Sequence, residues 1–433
     1  MNIHFKTFGC KVNQCESNDM VTQVCVAGCT ITAKPNDADT IVINSCTVTS
    51  NADRKIKQYL RRCQRLNPTS KIYLTGCYVD RAQKELKGEF PSIKLFRNSE
   101  KQNLIDILDF SSSSTPINVG TNSIRAFAHG YKQWAQPLTA TSPTTNSPNS
   151  LQSPVFSGHT RAFVNIQNGC DGKCSYCIVP KVRPKLWSKN IDDIILEIKN
   201  YVSAGYKEIV LCGIRLGKYG WGLAENLPLI DLIKRLEKID GLYRVRLSSI
   251  ELNDISDDLI ELMSASKKLC HHLHIPLQSG DDEILKNMNR PYTINNFFDK
   301  IKKIRKNVSD IGITTDIIIG YPIDTEKTLQ NTYNFVEKCA FSRLHIFEFS
   351  KRPNTEAALI NKSCPSAIIK KWKEKFRLLD LKLRKDFLKE SFTFSNKKLE
   401  VLTESNGYGY TSNYIYIKLP IAYPENEIVY CEK

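Results

Sequence analysis

Three short runs of β-branched and aromatic residues near the N-terminus each lead to a cysteine. The runs at 3–8, 40–45 and 71–76 precede Cys10, Cys46 and Cys77, and a helix-like stretch follows each cysteine. This alternation is typical of an open parallel α/β layer of the Rossmann or flavodoxin type, which we expect over residues 1–110. Because ligands bind beyond the carboxyl ends of parallel strands, the three thiols can converge there.

A longer series of strand and helix patterns follows residue 158. Six candidate strands alternate with helical stretches, at 162–167, 207–212, 243–249, 271–275, 313–319 and 343–349. They predict an α/β fold with a partial (βα)6 barrel over 159–390, whose chemistry lies at the strand C-termini. A basic amphipathic helix is expected at 366–390, and short strands with turns predict a small β-module at 391–433.

Between these two regions, residues 111–158 are rich in Ser, Thr and Pro, most clearly at 139–150. Such a composition buries too little apolar surface to offset the entropy of ordering the chain. We therefore predict a linker, in which Trp134 docks locally.

The composition indicates a basic protein of a reducing compartment. With 61 Lys and Arg against 45 Asp and Glu, the formal charge is +16, which favours a polyanionic partner. The 15 cysteines are odd in number and the N-terminus lacks the apolar core of a signal peptide, so disulfides are not expected. No apolar run is long enough to span a bilayer. We expect a cytoplasmic protein that does not enter a membrane.

The sharpest local motif is Cys170-x3-Cys174-x2-Cys177, directly after the first barrel strand. Three thiolates on one loop can hold three irons of a 4Fe–4S cube and leave the fourth iron open. A zinc site would need a fourth protein ligand, and none is obvious nearby. Cys174 and Cys177 could also form a redox pair, or the three cysteines could bind no metal at all.

This loop, with Tyr176 before its last cysteine, resembles the signature of radical S-adenosylmethionine enzymes. The resemblance implies a partial barrel of six βα units. It also implies that the open iron chelates the amine and carboxylate of S-adenosylmethionine. Both agree with what the residues themselves predict.

The N-terminal segments narrow the resemblance, over nearly the whole chain, to the methylthiotransferases. Phe-Gly-Cys-Lys-Val-Asn-Gln at 8–14 is most similar to the branch of that family that acts on threonylcarbamoyladenosine in tRNA, and further matches lie at 44–49, 75–78, 246–251, 274–280 and 288–290. The segment 409–414 resembles the TRAM module with which the family grips RNA.

The family resemblance implies that Cys10, Cys46 and Cys77 hold a second, auxiliary 4Fe–4S cluster with an open iron. Taken alone, each of the three would be interpreted as a buried structural thiol, but their common placement after three strands favours a ligand role. The remaining nine cysteines match no ligand position and are expected to pack in the core.

The resemblance also implies a radical route. The hydrogen on a purine carbon is not acidic enough for a side chain to remove it near neutral pH. One electron from the first cluster would cleave S-adenosylmethionine, and the resulting 5′-deoxyadenosyl radical would take hydrogen from C2 of an adenine. Sulfur at the auxiliary cluster would join that carbon, and a second S-adenosylmethionine would supply the methyl group.

Candidate contacts to S-adenosylmethionine come from the cluster loop and from the ends of barrel strands, where ligand contacts cluster. They are Tyr176, Gly213, Gly217, Ser249, Glu251, Gln278 and Asp316. The glycines could instead mark a turn, and the polar side chains could hydrogen-bond within the barrel. The histidines at 271, 272 and 274 could suggest a metal, but such imidazoles are more often hydrogen-bonded barrel residues.

Basic clusters interleaved with aromatic residues predict RNA contacts at 181–189, beside the cluster loop, and at 370–377. The candidates are Lys181, Arg183, Lys185, Trp187, Lys371 and Lys373. Basic side chains would meet phosphates, and the indole would stack on an unpaired base. The second cluster also fits a solvated helix face. Departures from the family pattern at 252, 321–324 and 350–355 leave the fine substrate preference open.

Together these features predict a methylthiotransferase that converts N6-threonylcarbamoyladenosine at position 37 of tRNA to its 2-methylthio derivative. Its expected cofactors are two 4Fe–4S clusters and S-adenosylmethionine. Its expected partners are the tRNA anticodon stem-loop, an external electron donor and a sulfur source, with the protein a monomer. The competing hypotheses are the same reaction on isopentenyladenosine, methylthiolation of a ribosomal-protein aspartate, and a non-catalytic iron–sulfur protein for electron transfer or RNA binding.

Overall fold

The computed structural model describes residues 1–108, 160–223, 227–395 and 398–432. The linker predicted for 111–158, with Trp134, lies outside the described residues. Within the described part of the chain, no helix is both long enough and apolar enough to cross a membrane.

The N-terminal region is a five-stranded parallel sheet in the order β2-β1-β3-β4-β5. Its strands are β1 (Asn2–Thr7), β2 (Thr30–Ile31), β3 (Thr40–Ser45), β4 (Lys71–Gly76) and β5 (Lys94–Leu95). The helices of this region are α1 (Lys11–Val26), α2 (Ser50–Leu66), α3 (Cys77–Glu89) and α4 (Leu104–Ile107). This strand order is that of flavodoxin-like sheets, in agreement with the fold predicted from the sequence.

The central strand β3 shows why the sheet is covered on both faces. Ile41 and Ile43 pack with Leu60 of α2, whereas Val42 packs with Met20 of α1. All five side chains are fully buried. Since successive side chains of a strand point to opposite faces, an uninterrupted apolar run is what a strand between two helical layers requires.

The second region is an open barrel of parallel strands. The strands are β6 (Arg161–Asn168), β8 (Glu208–Gly213), β9 (Arg244–Leu247), β10 (His272–His274), β11 (Gly312–Ile319) and β12 (Arg343–Glu348), with β7 (Trp187–Ser188) antiparallel to β6. The groups β7-β6-β8-β9 and β10-β11-β12 join through parallel bridges at Val245–Leu269 and Ser249–His274. The six predicted barrel strands are therefore confirmed.

Helices surround this sheet on its outer side. After a short α5 (Val179–Val182), which instead packs through Val182 against Cys77, they are α6 (Ile191–Ser203), α7 (Leu229–Leu236), α8 (Asp257–Ala265), α9 (Asp282–Asn287), α10 (Ile294–Asn307) and α11 (Glu326–Cys339). On β6, Val164 belongs to the apolar core beneath these helices. Phe163 points to the concave side, where it forms an apolar cluster with Val210, Val12 and Cys15. Helix α1 therefore covers part of the concave face of the barrel.

The C-terminal region begins with the long helix α12 (Ser366–Phe394) and ends in a four-stranded antiparallel sheet. Its strands are β13 (Lys398–Glu404), β14 (Tyr408–Thr411), β15 (Tyr416–Lys418) and β16 (Ile428–Glu432). The helix runs past its predicted end at 390 because residues 391–394 include neither Gly nor Pro. Arg246 of β9 donates to the carbonyls of Thr411 and Ser412, which docks the sheet against the first residues of the barrel strands.

Candidate functional site

The loop 170–177 lies at the carboxyl end of β6 and is folded by its own backbone. The N–H of Cys177 donates to the carbonyl of Cys174 at 3.1 Å, and the N–H of Gly172 donates to Cys170 Sγ at 3.2 Å. Burial raises the pKa of Cys177 to about 12, and the neighbouring Cys174 and Cys170 act in the same direction. Bound metal is what would hold three neighbouring, partly buried thiols as thiolates.

Arg290 lies behind this loop. Its Nη1 donates to Cys174 Sγ at 3.4 Å, its Nε donates to Tyr292 Oη at 2.9 Å, and its Nη2 forms an ion pair with Glu251. The arginine side chain is 3% exposed. A buried guanidinium in contact with a cysteine sulfur balances part of the negative charge that thiolate ligands bring.

Cys10, Cys46 and Cys77 follow β1, β3 and β4, which are neighbours in the N-terminal sheet. Burial raises the pKa of Cys46 to about 12, and Cys77 and Cys10 both raise it as well, which places the three thiols close together. The convergence predicted from the strand pattern is therefore present in the fold.

Glycines in front of Cys10 and Cys77 make this convergence possible. Gly9 and Gly76 adopt φ angles of 128° and 102°. A Cβ on Gly9 would lie 2.9 Å from the Cβ of Cys46, and one on Gly76 would lie 2.2 Å from the carbonyl oxygen of Ser45. A side chain at either position would push the strand ends apart.

Neither triad has the spacing of a single-ion site. Two thiolates on one tetrahedral zinc, with Zn–S bonds of about 2.3 Å, lie roughly 4 Å apart. Among the described residues, the one group of three ligand atoms that all lie within 4.8 Å of one another is His274, Asp316 and His345, and it contains no cysteine. Three more widely spaced thiols fit a 4Fe–4S cube, in which each thiolate binds a different iron.

Arg183 lies between the two triads. Its carbonyl accepts from the N–H of Cys170 at 3.1 Å, and its Nε donates to Cys77 Sγ at 3.3 Å. Its Nη1 and Nη2 donate to the carboxylate of Glu16 at 2.6 and 2.9 Å. Arg183 is only 5% exposed, so it is not available to a phosphate, and the RNA contact predicted for it is wrong.

The remaining candidate RNA contacts stay predictions. Lys181 and Lys185 are exposed, and Trp187 is half-buried on β7. Lys371 and Lys373 form exposed ion pairs from α12, at 2.8 Å to Glu326 and 2.9 Å to Glu348. The first cluster therefore borders the cysteine loop, whereas the second lies on a solvated helix.

The glycines proposed as S-adenosylmethionine contacts lie against protein atoms. A Cβ on Gly217 would come within 2.2 Å of the Cβ of Asp254, and one on Gly213 within 3.0 Å of the Cα of Leu216. Close packing within the turn is therefore enough to explain both glycines, and their role in binding stays a prediction.

Three polar candidates, Ser249, Glu251 and Gln278, follow the ends of strands, whereas Asp316 lies inside β11. Ser249 bridges to His274, Glu251 pairs with Arg290, and Gln278, at a φ of 71°, donates its N–H to the carbonyl of Asp316 at 2.8 Å. Tyr176 packs with the apolar residues near α9, and burial raises its pKa well above its usual value. The role of these residues in binding S-adenosylmethionine stays a prediction.

The histidines at 271, 272 and 274 do not form one ligand set. His271 Nδ1 pairs with Asp310 at 2.6 Å, and His272 Nε2 lies 3.1 Å from Thr314 Oγ1. His274 instead meets Asp316 and His345. The sequence indicated no role for His345 or Arg290. Each contacts residues that are distant in the chain, and only the folded strands and loops bring them together.

Comparison with known proteins identifies both regions. The Radical SAM superfamily model matches residues 164–336, and the model of uncharacterized protein family UPF0004 matches residues 2–97. The radical S-adenosylmethionine methyltransferase TsrM of Kitasatospora setae has the same fold, with a TM-score of 0.55 at 11% identity over 83% of this chain and 74% of that one.

Curated relatives cover almost the full chain. The threonylcarbamoyladenosine tRNA methylthiotransferase of Bacillus subtilis is 33% identical, over 95% of this chain and 89% of that protein. The enzyme of the same name from Thermotoga maritima is 35% identical, over 93% of this chain and 86% of that protein. The tRNA-2-methylthio-N(6)-dimethylallyladenosine synthase of Endomicrobium trichonymphae is 34% identical, over 83% of this chain and 78% of that protein.

The family accounts for a radical S-adenosylmethionine barrel joined to a second cysteine-bearing sheet, with 4Fe–4S clusters and S-adenosylmethionine as cofactors. The chain is an enzyme and belongs to the radical S-adenosylmethionine methylthiotransferases.

Proposed function

We propose that this enzyme adds a methylthio group to C2 of N6-threonylcarbamoyladenosine at position 37 of tRNA. The observation that carries the proposal is the contact of Arg183 with both triads, through its carbonyl to Cys170 and its guanidinium to Cys77. Because the two cysteine triads lie on either side of Arg183, a single bound base can be close to both cluster sites. The names of the relatives from Bacillus subtilis and Thermotoga maritima support the substrate.

In this proposal Cys170, Cys174 and Cys177 hold the cluster that binds S-adenosylmethionine, and Cys10, Cys46 and Cys77 hold the auxiliary cluster. When bound, these groups supply the electron, the radical chemistry and the sulfur that no side chain provides.

The protein's own residues bind the RNA and orient the target adenosine. Arg290 and Glu251 fix the wall behind the loop 170–177, and Arg183 with Glu16 fixes the wall on the side of the N-terminal sheet. The concave face of the barrel lies between these walls and shields the reacting carbon from water. Lys181, Lys185 and Trp187 are proposed to hold the anticodon loop beside it.

The same reaction on an N6-isopentenyl adenosine is the second candidate. It is favoured by the 34% identity with the dimethylallyladenosine synthase of Endomicrobium trichonymphae, which is close to the 33% found with the Bacillus subtilis enzyme. The two substrates differ in the substituent on N6: one carries a carboxylate, and the second is a hydrocarbon.

Nucleoside mass spectrometry of tRNA from cells that lack the gene tests the proposal. We expect 2-methylthio-threonylcarbamoyladenosine to disappear and its unmodified precursor to accumulate. The wild-type gene and the Cys25→Ala variant, which changes an exposed cysteine outside both triads, should restore the product. Cys10→Ala and Cys174→Ala should not.

Loss of the isopentenyl product instead would support the second candidate. Persistence of both methylthio products in the deletion strain would contradict both candidates, provided that no other gene of the strain supplies the activity.

A further inference from the structure

The concave face of the barrel carries a chain of hydrogen-bonded polar side chains on β10, β11 and β12. Asp316 Oδ1 lies 3.1 Å from His274 Nε2 and 3.3 Å from His345 Nδ1. Thr314 Oγ1 continues the chain, at 2.9 Å from His274 Nδ1 and 3.1 Å from His272 Nε2. The His345 side chain is 37% exposed, so this end of the chain is open to a ligand.

The opposite end of the chain is closed by the C-terminal sheet. The ring of Tyr414 stacks on His272 with centroids 4.4 Å apart, and the guanidinium of Arg246 lies 4.8 Å from the same tyrosine ring. His272 is 4% exposed. These residues form a floor, and a ligand reaches the histidines from the mouth of the barrel, where the loop 170–177 lies.

Lys11 brings a positive charge to this space from the N-terminal sheet. It follows Cys10, and the next residue, Val12, packs against the concave face of β6 and β8. Burial lowers the pKa of His272 well below its usual value, and the nearby charge of Lys11 lowers it further. Within the described residues, Lys11 forms no salt bridge, and it also lies close enough to Tyr414 for its charge to lower the pKa of that tyrosine against the effect of burial.

An ammonium that forms no salt bridge, beside the imidazole of His272 and the ring of Tyr414, is chemically matched to one kind of substituent. A carboxylate would pair with Lys11, and hydroxyl or amide groups would hydrogen-bond with the exposed edge of His345. A hydrocarbon substituent would displace water from Lys11 and His345 without offering them hydrogen bonds. The loss of hydration would then weaken binding.

We propose that Lys11 and His345 bind the carboxylate-bearing substituent on N6 of the target adenosine within the concave face of the barrel. This inference rests on the proposed function and deepens it, because it names the residues that distinguish an anionic substituent from an apolar one.

The test compares two anticodon stem-loop RNAs on the iron-loaded enzyme. One carries N6-threonylcarbamoyladenosine at position 37, and the second carries its methyl ester, which has no negative charge and is one methyl group larger. Fluorescence anisotropy at fixed salt should show the acid binding about tenfold more tightly than the ester to the wild type. Lys11→Gln and His345→Phe should lose most of this difference, and Lys11→Arg should keep it.

Lys55→Gln is the matched control, because it removes one exposed lysine of α2 and changes no residue of the concave face. This substitution should lower the affinity of the protein for both RNAs by the same factor. Iron content of each variant, measured beforehand, establishes that Lys11→Gln has not emptied the site of its neighbour Cys10.

Equal affinity of the wild type for acid and ester would overturn the inference while leaving the proposed function intact. A wild type that does not methylthiolate the acid RNA would instead contradict the proposed function. A divalent ion other than iron, retained by the wild type and lost by His345→Phe, would assign His274, Asp316 and His345 to a metal and overturn the role of His345.

Discussion

Arg183 Nε donates to Cys77 Sγ at 3.3 Å, although the two residues are 106 positions apart in the chain. The same guanidinium pairs with Glu16, which also accepts from Lys101 Nζ at 2.5 Å. Burial opposes the ionisation of Glu16, but the two cations hold its pKa at about 2. One carboxylate thus pairs with two buried cations beside the auxiliary site.

Replacing Arg183 by Gln should destabilise the contact between the sheet and the barrel. The change leaves Glu16 with one cation instead of two, and we expect the free energy of unfolding to fall by roughly 3 kcal/mol. Urea unfolding measures this. Arg61→Gln is the control, because its ion pair with Glu89 lies on the surface and is worth about 1 kcal/mol or less. A loss for Arg183→Gln no larger than that of the control would contradict the structural role.

Iron counting tests the two ligand sets. After anaerobic reconstitution we expect about eight irons per wild-type chain and about four in each of Cys10→Ala and Cys174→Ala, because each substitution removes one of three ligands from one cube. Cys25→Ala should retain the wild-type count, since Cys25 is exposed and belongs to neither triad. About four irons in the wild type would exclude two clusters.

The strands and the cysteine triads could be predicted because their signals are local. A run such as 40–45 has few alternatives to a buried strand. A cysteine directly after it therefore lies at the carboxyl end of that strand. The spacing of Cys170, Cys174 and Cys177 within one loop favours an iron–sulfur site over zinc without knowledge of the fold.

The charged residues around the triads could not be predicted in the same way. Arg183 lies in a basic segment with Trp187, and that pattern is the same for an RNA-binding surface and for a loop with one buried arginine. The distinction depends on Glu16, which is 167 positions away. Arg290 meets Cys174 at a separation of 116 residues, and no local pattern encodes such a contact.

RNA binding should depend on salt through the exposed lysines and not through Arg183. Each phosphate contact that is lost lowers the slope of log K against log salt by about 1. Lys185→Gln should therefore reduce the slope of stem-loop binding by about 1. Lys303→Gln should leave it unchanged, because that lysine pairs with Asp257 between two outer helices of the barrel, α10 and α8. Identical slopes for Lys185→Gln and wild type would remove Lys185 from the RNA surface.

Glu208 makes the stability of the barrel sensitive to acid. It is fully buried and accepts from Arg246 Nε at 2.6 Å and Nη2 at 3.1 Å. Burial raises its pKa, but Arg246, Arg161 and Arg244 outweigh this and lower it from 4.5 to about 2. A carboxyl group whose pKa is lower in the folded state stabilises the protein above pH 4.5, and this contribution is lost as the pH falls towards 2.

The contribution amounts to about 3 kcal/mol above pH 4.5. Urea unfolding at pH 6 and pH 3 should show Glu208→Gln less stable than wild type at pH 6, because Arg246 is left buried without its counterion. The difference should shrink at pH 3, where the wild-type carboxyl group has begun to lose its contribution. Glu261→Gln, an exposed change on α8, should follow the wild type at both values. A constant difference between Glu208→Gln and wild type would show that titration of Glu208 does not control acid stability.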